Sequence, residues 1–550
     1  MKIRILLRNI RRHTNGWLIT SLIGAAVILL PIVYVLSGLI QPANENWNNV
    51  TQYLLKDYII GSAKLVLFTG FFATLIGVVL AWLVVGYTFP LRRFFRWALM
   101  LPLAVPPYIA AFTYATMTSY TGTIQATLRN QFDINLAPGM IEIMSTRGAV
   151  FIMTLFLFPY VFMISRTFLE KQSASYIENA MLLGHKRFSL FFRVVLPISR
   201  PAIIAGGMLV VFEVLSDYGV ASYFGVQTLS TAIFQTWFGM YDVDSAIKLA
   251  AWLMIVIIGI FAIERFLRRN RKFNSTTSQS RPLNPRPLKG FAALGATLLC
   301  SIVFLLSFLI PVVQIIVWTT WTYRKVWRSD FMDLMMNSLT GALIGTCIII
   351  VIALLAARTS RTISSSLGYA ISRLMTAGYA IPGAIIAIGV LAIFIALDRQ
   401  LSPFYAWLGK GEGVLILSLS LSMLVTGYII RFMATGYNAI ESGYEKIPRT
   451  YSEASRMLGR SSTSTFFKIE LPLLKGAVFT GFVLTFVEIV KELPLTLLLR
   501  PFNFDTLATR TYQYAMDERI FEAALPSLLL IGISLISVLF ILMLEKEKRT

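Results

Sequence analysis

Twelve apolar runs, most of about twenty residues or more and spread along all 550 residues, restrict the fold of this chain more than any other feature. A helix needs about 20 such residues to cross the hydrocarbon core of a bilayer. The predicted spans are 17–40, 61–86, 97–119, 148–168, 201–222, 246–265, 291–318, 337–357, 374–397, 413–431, 476–497 and 523–544. Only 14% of the residues are charged and 56% are apolar, whereas a soluble domain carries about 25% charged residues. Soluble, disordered, coiled-coil and disulfide-scaffold classes are excluded. The expectation is an all-α integral membrane protein of twelve transmembrane helices. The basic N-terminal segment and the run from Trp17 resemble a secretion signal, but the run is too long and no small-x-small site follows. It is predicted to be a retained first span.

The formal net charge of +22 would suggest nucleic acid in a soluble protein. Here it reports orientation instead, because Lys and Arg accumulate in cytoplasmic loops. Segments on the N-terminal side, inner span ends included, hold 35 of the 49 Lys and Arg, and the opposite loops hold 11. Both termini are therefore predicted in the cytoplasm, as in a multi-pass protein of a bacterial inner membrane, with lipid and not nucleic acid as its surroundings. Two cysteines (Cys300 and Cys347) and two histidines (His13 and His185) provide no ligand set for a metal or haem.

A polar, Pro-interrupted stretch around 265–290 separates six spans from six and reads as a linker. The two sides repeat each other. Tyr176-Ile-Glu178-Asn-Ala180-Met-Leu-Leu-Gly184 precedes Phe191-Phe-Arg-Val-Val-Leu196-Pro197, and Tyr451-Ser-Glu453-Ala454-Ser-Arg-Met-Leu-Gly459 precedes Phe466-Phe-Lys-Ile-Glu-Leu471-Pro472, at a constant offset of 275. The predicted organisation is a six-helix repeat at 1–264, the linker 265–290 and a second repeat at 291–550. Parallel repeats imply a pseudo-two-fold axis along the membrane normal, with a pathway between the halves. Glycines such as Gly70, Gly77, Gly341 and Gly345 are expected to allow close helix approach.

The repeated loop lies between the fourth and fifth spans of each half, on the cytoplasmic side. It reads as a short surface helix, stopped by a Gly that can adopt the left-handed conformation and rejoined before a Pro. This Glu-x-x-x-x-x-Gly pattern resembles the signature of binding-protein-dependent ABC importer permeases. The resemblance implies a type I importer fold in which the loop is a coupling helix docked on an ATPase subunit. Glu178, Ala180, Gly184 and Pro197, with Glu453, Ala454, Gly459 and Pro472, are then the ATPase-coupling residues. Asn179 and Ser455 stand where the pattern has Ala. The chain has no Gly-x-x-x-x-Gly-Lys-Ser/Thr, and its Gly409-Lys410 pair lies on the external side. No catalysis and no cofactor are expected of it; ATP and magnesium belong to the partner, two copies of an ABC ATPase.

Four acidic residues fall within predicted spans: Glu213 and Asp217 in the fifth, Glu488 and Glu492 in the eleventh. A spacing of four places each pair on one helix face, and ionisable groups within a span generally face a cavity or a partner. Four carboxylates converging on the axis would attract a cation with hard oxygen ligands. Helix-end ion pairs, such as one between Lys491 and Glu492, are the plainer reading. The surrounding segments, including Leu-Arg500-Pro-Phe-Asn-Phe504-Asp505-Thr-Leu-Ala, resemble fused iron(III) importer permeases. That implies ferric iron received from an extracytoplasmic binding protein, with transient contact by the pathway carboxylates and no resident metal. The segments 121–147 and 498–522, with Asp242 and Asp244, are expected docking surfaces for that protein. Thiamine or polyamine permeases of the same layout, or an ion-coupled secondary transporter, are the alternatives.

Overall fold

The computed structural model describes residues 16–137, 139–140, 142–171, 179–180, 182–183, 187–269, 284–363, 366–411, 413–418 and 420–547. The helices include, in chain order, α1 (Gly16–Ser37), α2 (Leu55–Gly86), α3 (Pro107–Thr118), α4 (Thr146–Lys171), α5 (Leu196–Ser216), α6 (Val243–Arg269), α7 (Ile310–Val326), α8 (Ser329–Thr362), α9 (Gly383–Trp407), α10 (Leu421–Glu445), α11 (Arg449–Met457), α12 (Leu471–Val490), α13 (Leu507–Met516) and α14 (Ile520–Glu547). Among the described residues the only sheet is a two-residue parallel pairing of Tyr87–Thr88 with Arg286–Pro287.

The protein is a multi-pass, all-α membrane protein, and its described helices support most of the twelve expected spans without resolving all twelve. Ten described helices are long and apolar enough to cross a bilayer, or eleven if a pair bent by 91° counts as one. The bent pair, Arg92–Ala104 and Pro107–Phe132, occupies the predicted span 97–119. It breaks at Val105 and Pro106, where a 3₁₀ turn over Leu101–Ala104 meets a Pro-Pro step that cannot supply helical N–H groups. The predicted span 413–431 is replaced by α10, which starts at Leu421 and continues to Glu445. Its 25 residues include Arg431 and Glu441, so it is more polar than the ten.

The helices divide into two compact units whose membership does not follow the sequence halves. One unit comprises 16–42, Asp242–Met254 and Arg328–Thr509. Within it α8, α10 and α12 pack together, and α1 lies against α8 and α9. Helix α1 buries Leu18, Ser21, Ala25, Ile28 and Val35, a three-to-four spacing that marks one face. Ser21 Oγ bonds Thr359 Oγ1 at 2.9 Å, which ties this face to α8. The other unit comprises Ala43–Tyr241, Ile255–Trp327 and 510–547. There α2, α4 and α5 form the core, and α7 packs on α14. Gly77 permits the α2–α4 contact, since a Cβ at that position would lie 2.7 Å from Val161 Cβ. Gly70, Gly341 and Gly345 have looser surroundings, with nearest neighbours at 3.3 Å or more. Cys300 is buried, whereas Cys347 is exposed on the outer side of α8.

Within each unit the same local devices recur. Ser62 Oγ accepts from Leu229 N at 2.8 Å, and Ser338 Oγ accepts from Leu507 N at 2.6 Å. Thr228 N donates to Thr231 Oγ1 at 2.9 Å, matched by Thr506 N and Thr509 Oγ1 at 2.9 Å. Wide π turns at Phe191–Val195 and Phe466–Glu470 precede α5 and α12. The repeat therefore extends from sequence to backbone geometry.

Candidate functional site

Helix α10 runs toward the second copy of the repeated loop, and its C-terminus is tied down by Arg361. This side chain donates to the carbonyl oxygens of Tyr444 at 2.5 Å and Ile447 at 2.6 Å, groups that a helix end leaves without partners. Pro448 then starts α11. Gly459, with φ of +81°, closes that helix. Gly459 N reaches Arg456 O at 3.0 Å and Arg460 N reaches Ser455 O at 3.2 Å, a Schellman cap that a side chain at Gly459 would strain. Glu453 and Ala454 are exposed, and Ser455 is buried with its Oγ 3.0 Å from Thr465 Oγ1.

In the first loop Asn179 is exposed and Ala180 buried. The second small position of the motif, 180 and 455, thus packs inward, and the first, 179 and 454, faces solvent. Glu178 and Gly184 lie outside the described residues. Sequence reasoning missed the two side chains before each Gly. Leu182 and Leu183 are 84% and 82% exposed, and their equivalents Met457 and Leu458 are 90% and 83% exposed. The signal was present as an apolar pair preceding the Gly in both motif copies.

Pro197 and Pro472 occupy the second positions of α5 and α12. Each follows a π turn, where the hydrogen-bond register is already widened, so the missing Pro N–H falls at an existing irregularity. The second π turn carries Glu470, which is buried. Glu470 lies 3.3 Å from Arg358 Nε, and it accepts from Ser452 Oγ at 2.8 Å and Tyr444 OH at 3.1 Å. Arg358 also donates to the main-chain oxygen of Ser462 and to Ser462 Oγ at 2.9 Å, and it stacks 4.0 Å from the Trp17 ring centroid. This network joins α1, α8, α10, α11 and the π turn.

The intramembrane carboxylates are placed differently from the expected helix-face pairs. Helix α5 ends at Ser216, so only Glu213 of its pair lies on the helix. Asp217 stands at the break, and its Oδ1 accepts from Val220 N at 3.0 Å and Ala221 N at 3.2 Å, capping the short helix Gly219–Tyr223. Helix α12 likewise ends at Val490. Glu492 Oε1 accepts from Leu495 N at 3.3 Å at the start of the short helix Pro494–Leu499. The expected Lys491 ion pair is made with Glu488, at 2.7 Å, on the same turn. A carboxylate capping free N–H groups suits a span broken near its end, because those donors would otherwise be unpaired in apolar surroundings.

Beside Asp217 the structure gathers tyrosines that the sequence did not single out. Tyr218 stacks on Phe234 with ring centroids 3.7 Å apart. Tyr512 stands 5.8 Å from Tyr218 and 6.4 Å from Tyr108. Among the described residues, no three His, Cys, Asp or Glu side chains cluster as a metal site would require. Asp242, expected on a docking surface, is buried and caps the first turn of α6 through Ser245 N at 3.1 Å.

Two equivalent segments on a duplicated multi-span helical frame are a feature of transport permeases, and the family comparison agrees. The chain belongs to the family described as the binding-protein-dependent transport system inner membrane component, which matches residues 73–272 and again 349–550. The Fe(3+)-transport system permease protein FbpB 2 of Haemophilus influenzae is 25% identical over 461 residues, 83% of each chain. The sulfate transport system permease protein CysT of Escherichia coli is 29% identical over 209 residues, 37% of this chain and 72% of that protein. The crystal structure of a bacterial alginate ABC transporter, in complex with its alginate pentasaccharide-bound periplasmic protein, aligns at 18% identity and a TM-score of 0.36. The alignment covers 45% of this chain and 91% of that chain.

Proposed function

We propose that this chain is the channel-forming subunit of a type I ATP-driven importer for ferric iron, with six-helix repeats at 1–264 and 291–550 and both termini cytoplasmic. The observation that carries the coupling role is the exposed apolar pair in each loop, Leu182 with Leu183 and Met457 with Leu458. Two adjacent large apolar side chains on a cytoplasmic knob are costly to hydrate unless a partner covers them. The motif residues Glu178, Ala180, Gly184 and Pro197, with Glu453, Ala454, Gly459 and Pro472, shape these knobs. Each knob docks on one copy of a separate ABC ATPase, which binds ATP and magnesium. Closure of the ATPase pair draws the knobs together and rocks the pathway outward; hydrolysis returns it inward.

Likeness along 83% of both chains to an iron(III) permease supports ferric iron as cargo. The oxygen-rich surroundings of Asp217 support it too, since carboxylate and phenol oxygens are hard donors. Glu213, Asp217, Glu488 and Glu492 attract the cation along the pathway, and an extracytoplasmic binding protein delivers it. Reconstitution with the ATPase and binding protein tests this reading. ATP-dependent uptake of radioactive iron that excess thiamine or polyamine leaves unchanged is the expected result. Uptake driven by an ion gradient without ATP would overturn it.

A further inference from the structure

Between α8, α11 and the π turn of the second repeat lies an open cavity of about 150 Å³. Four guanidinium groups line it, from Arg358, Arg361, Arg449 and Arg456, against two carboxylates, Glu453 and Glu470. The carbonyl oxygens at the end of α10 occupy Arg361. Arg358 is only 5% exposed, and although Glu470 and Ser462 engage its Nε and Nη2, its buried Nη1 has no hydrogen-bond partner. Leaving a buried charged donor unsatisfied is expensive. Arg449 and Arg456 are exposed at the rim on α11, one turn either side of Ser452 and Glu453.

We propose that this cavity is a site for a phosphate-type oxyanion, held between Arg358 at its base and Arg449 and Arg456 at its mouth. Planar guanidinium forks pair with tetrahedral oxyanions through several acceptors at once. The volume is well above the roughly 10–15 Å³ of probe-occupied space that one water needs, so the cavity has room for a phosphate-sized anion. A general excess of cytoplasmic positive charge does not explain the cluster. At the equivalent positions of the first repeat, offset by 275 or 276, stand Trp82, Val85, Ala174 and Met181. The oxyanion can be free inorganic phosphate or a phospholipid headgroup, since Trp17, on the Arg358 guanidinium, begins the membrane helix α1. In either case it links α11 to α8.

The inference does not depend on the cargo, and binding tests it directly. The purified full-length chain in phosphate-free maltoside detergent is titrated with sodium phosphate, and with sodium chloride at matched ionic strength, while the thermal midpoint is followed. The expected result is a saturable rise with phosphate only, with the apparent Kd weakened roughly tenfold or more in Arg449→Gln/Arg456→Gln. Both substituted side chains are exposed, so the unliganded midpoint should hold. Repeating the titration in phosphatidylglycerol nanodiscs assigns the source. An unchanged phosphate response identifies the free anion. Its loss, with retained lipid that the double variant sheds in native mass spectra, identifies the headgroup. Equal responses to phosphate and chloride, or equal affinity in the wild type and the double variant, would overturn the proposal.

Discussion

In the second repeat Glu470 sits in a π turn, gripped by Arg358, Tyr444 and Ser452. In the first, the corresponding positions are Val195, Trp82, Leu169 and Ile177. Trp82 packs there against Phe191, with ring centroids 6.4 Å apart. Ions are present in that half too, but elsewhere: Arg96 meets Glu170 at 2.7 Å, and Glu170 lies 3.8 Å from Arg166, which fastens the segment before α3 to α4. The second π turn is thus held by directional hydrogen bonds and charge, the first by aromatic contact. Charge-assisted bonds fix a geometry, whereas apolar surfaces are non-directional. Two π turns of one backbone design are therefore anchored by different chemistry.

The largest effect should come from the feature the two copies share. Met457→Asp with Leu458→Asp should weaken ATPase binding roughly hundredfold or more, as loss of buried interface anchors does. Leu182→Asp with Leu183→Asp should match it, and a titration of ATPase against each purified variant would expose any inequality. Next comes the difference between the copies. Arg358→Met strands Glu470 and should cost about 3–5 kcal/mol in detergent unfolding. Arg358→Trp with Glu470→Val rewrites the second copy in the chemistry of the first and should recover most of that loss. A double variant no better than the single one would show that the two anchors are not interchangeable.

The caps give smaller contrasts. Asp217 holds two amide groups and Glu492 one, so Asp217→Ala should cost about 1–2 kcal/mol and Glu492→Ala well under that; thermal unfolding of the two variants measures the gap. Gly459→Ala should cost about 1 kcal/mol through its left-handed backbone. Because that strain is local, amide hydrogen exchange should rise in 449–460 and remain unchanged in α12.

Membrane character, duplication and the backbone of the second knob were legible in the sequence, because each depends on local pattern: apolar length, a fixed offset, a Gly after an amphipathic turn. The breaks at Val105, Asp217 and Lys491 were not. Hydropathy averages over a window and passes through a break whose flanks are apolar, although Pro106-Pro107 and the capping ability of Asp217 carried the information. The start of α10 was misplaced for the same reason, since 414–417 is apolar without being helical. Partnerships across hundreds of residues, such as Trp17 with Arg358 or Tyr108 with Tyr512, leave no local trace. Nor does the packing of α1 against α8 and α9.

That last arrangement bears on biosynthesis. Helix α1 leaves the ribosome 292 residues before α8 begins (Ser37 to Ser329), an interval of about 15–60 s at ~5–20 residues per second. Until then its face of Ser21, Gly24 and Ala25 has only lipid or the intervening helices to meet, so α1 waits long for its final neighbours. Truncation anywhere before α8 would leave α1 without them, an orphaned helix by which a chain cut short could be recognised.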